Sequence, residues 1–302
     1  MDVSESHLEK ALEEYNDKVN RLESEGPSTE LLEALINRGS VLFLLEYFTS
    51  ATEDLDSAVE IMGQLEQEGV PVDTGTFVKA HSTLAQIDMR QGADPCPEYR
   101  IAATKLFDLT EESHHFDFRS IMTLCLDASE DLLDYHDGAT ADKYIDKGLS
   151  LIENRKDAWS MNRYAELLSI KAETFMRRNE NQFALPLYSV AISICTELYN
   201  EQKLEDLSVL VCALISKTDC ERDLMMNEDY LRDMKIAAEY LEKMYSENNL
   251  PRPDLLIELH ERISRQLMSK GNIQEAEKHL MRVLQIGIDG AEDYIRNHGR
   301  PN

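Results

Sequence analysis

The chain has 302 residues, enough for one elongated domain or two compact ones, and 42% of them are hydrophobic, so a sizeable core is available. Its 12 glycines and 8 prolines are fewer than usual, which excludes a turn-rich β-sandwich or a disordered chain and favours long helices. With 31 basic against 58 acidic side chains, a net charge of −27, the composition argues against a general binder of nucleic acid or anionic membrane, whose phosphates demand a basic surface.

Helical periodicity governs the chain from its start. Residues 1–26 form an N-terminal packing helix, with Leu8, Leu12, Tyr15, Val19 and Leu22 on one face; that stripe must pack on the first helix pair or on another chain. Residues 27–290 read as an array of six helix pairs: 29–48 with 50–67, 76–91 with 97–110, 118–135 with 139–154, 160–178 with 182–199, 204–222 with 228–246, and 254–270 with 273–288. Breaks fall where helices should end, at Glu25-Gly26-Pro27-Ser28, Gly69-Val70-Pro71, Asn179-Glu180-Asn181 and Gly271-Asn272. Ser50 and Asn272, each with a Glu three residues on, are expected N-caps. Residues 291–302 are expected to be a short C-terminal tail.

Four pairs share a fixed spacing of small and large residues. It runs Gly39, Leu42, Ala51, Leu55, Ala58 in the first and Ser129, Leu132, Ala141, Ile145, Gly148 in the third. In the fourth it is Ala172, Phe175, Ala184, Tyr188, Ala191, and in the sixth Ser264, Leu267, Ala276, Leu280, Val283. Two helices approach closely only where side chains are small, and larger neighbours fill the flanking grooves. This spacing resembles the tetratricopeptide repeat family in a long-helix form. The resemblance implies an all-α fold, an α-solenoid winding as a right-handed superhelix of about six antiparallel pairs. The second and fifth pairs depart from the pattern, with an insertion at Gly92–Glu98 and a Met-rich turn at Met225–Asp229, and their register stays open.

No motif announces catalysis. The nearest approach to a zinc-protease helix, His260-Glu261-Arg262-Ile263-Ser264, carries Ser where the second His belongs. His114, His115 and Asp117, with Cys125, are the one group worth testing for a metal, although polar loop residues account for them better. Phosphate-binding glycine loops and nucleophile elbows are missing from the sequence. The expectation is a non-enzyme with no cofactor and no metal. Five scattered cysteines without a CxxC suggest reduced thiols and a cytoplasmic protein, and no stretch is apolar enough for a membrane span.

Residues 1–150 hold 11 basic and 32 acidic side chains, so most of the negative charge lies in the first half. Solubility alone would account for this; the functional alternative is steering of a basic partner. The family resemblance implies that first helices line a concave, partner-binding groove. Carried over by register, the groove comprises Glu33, Ile36, Ser40 and Phe43 in the first pair, and Leu126, Glu130 and Leu133 in the third. In the fourth it comprises Glu166, Ser169, Glu173 and Met176, and in the sixth Glu261, Arg265 and Met268. Ile36 and Ser40 stand where chaperone-tail-binding members carry carboxylate-gripping residues, so that activity is not expected. The expected function is a protein-interaction scaffold or adaptor that binds a basic or amphipathic segment, not nucleic acid or membrane. The alternatives are a self-assembling structural subunit, with a homodimer left open, and a ligand-sensing regulator with an internal pocket.

Overall fold

A computed structural model describes residues 3–247, 250 and 252–298. All its regular elements are helices: α1 (Val3–Glu23), α2 (Thr29–Leu44), α3 (Phe48–Gln67), α4 (Thr74–Gln91), α5 (Cys96–Ala102), α6 (Phe118–Asp134), α7 (Gly138–Ile152), α8 (Ala158–Arg177), α9 (Asn181–Asn200), α10 (Leu207–Asp223), α11 (Asn227–Ser246), α12 (Pro253–Ser269) and α13 (Ile273–His298), with a 3-10 turn at Leu106–Asp108. They divide into two compact units, Met1–Arg155 and Lys156–Asn302, each a stack of antiparallel helix pairs. The fold class is all-α, of the α-solenoid type.

In the first unit Val19 and Leu22 of α1 are buried in a core with Leu32, Leu35 and Ile36 of α2, Leu55 and Met62 of α3, and Ala80 and Ile87 of α4. Of the N-terminal stripe, Leu12, Val19 and Leu22 therefore pack within the chain, while Leu8 and Tyr15 stay half-buried. Gly39 shows why its position must be small: a Cβ there would lie 3.0 Å from Leu55 Cγ and 3.3 Å from the Ala51 carbonyl oxygen. In the second unit Ala172, Ala184 and Tyr188 make the same crossing, with Ala213 and Cys220 added from α10. Ser264 is buried at the last crossing, where its hydroxyl donates to the Ala276 carbonyl at 3.1 Å.

The turns resolve the open register. Seven residues beyond each small residue the backbone adopts positive φ, at Glu46, His136, Asn179 and Gly271. The same double closure recurs there. In the first pair Glu46 N–H donates to the Phe43 carbonyl and Tyr47 N–H to the Leu42 carbonyl; in the sixth, Gly271 donates to Met268 and Asn272 to Leu267. The fifth pair repeats it with Met225 (φ 60°) donating to Arg222 and Met226 to Glu221, which makes Thr218 its small residue. The Ala expected to open its second helix is Tyr230, and the large apolar residue of its first is Glu221, buried on Lys217 at 3.1 Å. An ion pair sixteen residues apart then recurs: Arg38 with Asp54 at 2.6 Å, and Lys217 with Asp233.

In the second pair Gly92 (φ 75°) marks Ala85 as the small residue, but the next helix starts two residues late, at Cys96. That helix is also far shorter than the expected 97–110. The Thr104 hydroxyl bonds the Ile101 carbonyl, competing with the helix, and the chain turns over Leu106–Asp108. Buried Lys147 of α7 then donates to the Phe107 and Leu109 carbonyls, which satisfies the end of the turn.

Two further details differ from expectation. Ser50 lies inside α3, whose N-cap is Tyr47, whereas Ser28 caps α2 through Leu31 N–H at 3.2 Å. The last helix does not stop near 288 but runs to His298, through the start of the expected 291–302 tail; residues 299–302 lie outside the described residues.

Candidate interaction surfaces

Within the first unit the residues assigned to a groove do not share one exposed surface. Ile36 is wholly buried, and Leu126 and Leu133 of α6 are buried too, so these three cannot touch a partner. Helices are packed on both flanks: α1 and α4 as well as α3 contact α2, and α4 and α5 as well as α7 contact α6. Sequence register assigns one packed flank and leaves the other looking open. Glu33, Ser40 and Phe43 are half-buried, and Glu130 is exposed. Phe43 tilts against Phe48 at 6.1 Å over the core, and Glu33 lies 3.9 Å from His114 Nε2.

The electrostatic signature of the first unit lies largely on other residues. Partial burial, and then the neighbouring Glu98, push the carboxyl groups of Asp56 and Asp88 above the usual carboxylate range; Asp56 and Asp94 add to the field at Asp88. On α6 burial and then Asp131 raise Asp127, while burial and then Asp134 raise Asp131 against the opposing bond from Tyr99. After burial, neighbouring carboxylates are the next charges that raise these groups. Residues 1–155 carry 12 basic and 33 acidic side chains, a net −21, so this unit holds most of the molecule's charge.

His114 and His115 stand edge to face at 4.2 Å on the loop before α6. The His115 Nε2 is buried with no hydrogen-bond partner, and burial, then His114 and Lys79, lower the His115 pKa to about 4. Asp117 instead caps α6, accepting from Ser120 N–H at 2.7 Å, and the Cys125 thiol is buried and pushed up to about 12. The four residues therefore do not converge. Among the described residues, no three His, Cys, Asp or Glu side chains are placed to hold a metal ion, and no helix is long and apolar enough to cross a membrane.

In the second unit Glu166 and Glu173 are held by ion pairs on their own helix, to Arg163 at 3.0 Å and Arg177 at 2.6 Å. Ser169 donates to the Ala165 carbonyl at 2.9 Å, and Met176 packs against the local core. Glu261, Arg265 and Met268 are exposed on α12. Arg265 borders an open polar cleft of about 400 Å³ between α10, α11 and α12, with Asp219, Arg222, Tyr230, Glu258, Arg262 and Gln266. Arg262 is anchored on Asp219, and Arg222 reaches the same carboxylate at 2.9 Å. Sequence register named only Arg265 here, because the cleft depends on Tyr230 standing where the repeat expects Ala.

No protein-family model and no curated protein matches the chain. Solved structures do. Aspartyl phosphate phosphatase F from Bacillus subtilis superposes with a TM-score of 0.55 at 13% identity, covering 96% of this chain and 76% of that one. A Rap protein complexed with competence and sporulation factor gives 0.48 at 11% identity, over 98% and 80%. BtubC from P. vanneervenii gives 0.41 at 15% identity, over 98% and 94%. At these identities the likeness is one of fold. With its helix pairs and recurring left-handed turns, the chain has the fold of a tetratricopeptide-type helical repeat protein with long helices.

Proposed function

We propose that this protein is a non-enzymatic scaffold or adaptor whose first unit binds a basic or amphipathic protein segment. The observation that carries this reading is the crowding of Asp56, Asp88, Asp94 and Glu98, and of Asp127, Asp131 and Asp134, in a unit of net charge −21. A cationic segment relieves that mutual repulsion, and electrostatic attraction of this kind acts mainly on the rate of association. Exposed Glu130 on α6 and half-buried Phe43 on α2 supply further acidic and apolar surface.

Thiol chemistry is set against catalysis here. Burial pushes the Cys96 thiol to about 12 and those of Cys195 and Cys220 to about 11, so all three stay protonated at neutral pH. Five free cysteines support a reducing compartment such as the cytoplasm.

The test is binding kinetics with a designed cationic amphipathic peptide and its acidic counterpart, at low and physiological salt. The cationic peptide should bind faster, with an association rate that falls as salt rises. Reversing Asp127 and Glu130 to Lys should slow association by roughly tenfold at low salt. Equal binding of both peptides, or an unchanged rate in the reversed variant, sinks the reading. Because the Bacillus subtilis neighbour is named a phosphatase, acetyl phosphate hydrolysis should be measured alongside. Turnover above the buffer rate would overturn the non-enzymatic part.

A further inference from the structure

The last helix carries two faces. Its inner face packs on α12 and α11: Ala276 and Ile286 are buried, Glu275 pairs with Lys235 at 2.5 Å, and Arg282 grips Glu242 with two bonds of 2.6 and 2.7 Å. His279 meets His260 there at 2.8 Å. The outer face is apolar and uncovered: Ile273 is 51% exposed, Leu280 37%, Met281 65%, Leu284 59% and Ile288 52%. Spacings of seven, one, three and four put all five on one stripe.

We propose that this stripe is a self-association surface, binding the same face of α13 in a second copy, with the two helices antiparallel about a two-fold axis near Leu280 and Met281. This inference does not depend on the acidic-face reading.

Three observations select a second copy. First, the stripe is self-complementary. In antiparallel register Ile273 faces Ile288 of the partner helix and Leu280 faces Met281, so four of the five apolar residues of one copy land on apolar residues of the other, as an isologous contact allows, while Leu284 lands on Glu277. A parallel pairing would set Glu277 against its own copy; the antiparallel one offsets the two carboxylates by seven residues, roughly 10 Å along the axis. Second, charge permits the contact. Residues 273–289 hold Glu275, Glu277 and Asp289 against Lys278 and Arg282, close to neutral, whereas two copies of the −21 unit would repel. Third, the area fits a weak dimer: the stripe offers on the order of 400–500 Å² of apolar surface per copy, so a pair buries roughly 1,000 Å² with its rim, at the low end of specific interfaces.

The experiment is sedimentation equilibrium of the full chain from about 1 to 200 μM, the range in which an interface of this size should half-assemble. The wild-type mass should rise from 34.6 kDa towards twice that value. Met281→Glu with Leu284→Glu should hold it at one chain with an unchanged circular dichroism spectrum, since both side chains already stand in solvent. With Cys212→Ser in the background, Met281→Cys, next to the axis, should form a disulfide-linked dimer under mild oxidation where the background alone does not. A wild-type mass of one chain throughout overturns the proposal and leaves the stripe to a different partner. So does a double-Glu variant that dimerises as well as the wild type.

Discussion

At Gly39 the requirement for a small residue is a distance: Leu55 Cγ and the Ala51 carbonyl stand where a side chain would begin. Gly39→Leu should therefore overpack the crossing by about 1–3 kcal/mol. For a unit of this size that lowers the melting temperature by roughly 2–4 °C per kcal/mol. Glu30→Leu, on the exposed first turn of the same helix, should leave it nearly unchanged; equal melting points would mean the crossing is misassigned. Gly75 is tighter still, because a Cβ there would fall 1.9 Å from the His114 carbonyl oxygen, and backbone cannot swing aside. Gly75→Ala should cost more than Gly39→Ala. The sequence displays the reason for Gly39, as a member of a recurring pattern, but hides that of Gly75, whose partner lies 39 residues away on an irregular loop. The same loop makes a pH prediction. The His115 pKa falls from its ordinary 6.5 to about 4, so between those values the unfolded chain takes up a proton that the folded chain refuses. Its contribution to stability is intact above pH 6.5 and is lost as pH falls towards 4. The raised carboxyls of Asp56, Asp88, Asp127 and Asp131 act with the opposite sign in part of that range, so the informative quantity is a difference. Melting curves of wild type and His115→Asn, whose side chain suits the positive φ of 70°, should diverge below pH 6.5 as the wild type loses more. Parallel curves would mean that His115 is protonated in the folded protein.

At the scale of helices and turns, one geometry is met with different residues. The turn inside a pair needs a left-handed residue, and glycine supplies it only in the second and sixth pairs. Asn179 adopts it with little resistance, whereas Glu46, His136 and Met225 do so at a cost. Met225→Gly should stabilise the fifth pair by about 0.5–1 kcal/mol, while Gly271→Ala should destabilise the sixth by a similar amount, both read from chemical denaturation at constant slope. The same sign for both would mean that the turns are not equivalent. These turns also explain which boundaries are legible in sequence. Where a cap or turn residue coincides with the end of an apolar stripe, both limits are close: α3, α4, α6, α7, α8, α9, α11 and α12 fall within two residues of expectation. The second helix stops at Leu44, short of the expected 48, because Glu46 makes its turn and no glycine marks the place. The fifth pair is opaque because Tyr230 and Glu221 fill slots that the pattern reserves for Ala and a large apolar residue, and only the turn at Met225 restores the register. The short α5 is opaque for another reason: the turn that replaces its continuation, Leu106–Asp108, is satisfied by Lys147, some forty residues further along, and local sequence carries no sign of that contact. Groove residues fail in the same manner, since Ile36, Leu126 and Leu133 obey helical period yet are covered by helices from neighbouring pairs.

For the whole molecule, charge is both a cost and a means of attraction, and salt separates the two. A net charge of −27, concentrated as −21 in the first unit, repels itself in the folded state more than in the expanded one, because folding brings like charges together. Burial is the main cause of the raised carboxyls of Asp56, Asp88, Asp127 and Asp131, and repulsion from neighbouring carboxylates adds to it. Screening shortens from about 30 Å at 0.01 M salt to about 8 Å at 0.15 M. Adding salt across that range should therefore raise the melting temperature of the chain by a few degrees, provided the repulsion outweighs the surface ion pairs, each worth roughly 1 kcal/mol or less. The same change should lower the association rate of a cationic amphipathic peptide, because the field that repels the protein from itself is the field that draws the peptide in. Both responses should shrink together when Asp127 and Glu130 are reversed to Lys. A chain whose stability rises with salt while its peptide association rate stays flat would carry its charge for solubility alone. One whose association rate falls with salt equally in the wild type and the reversed variant would bind its partner on a different face.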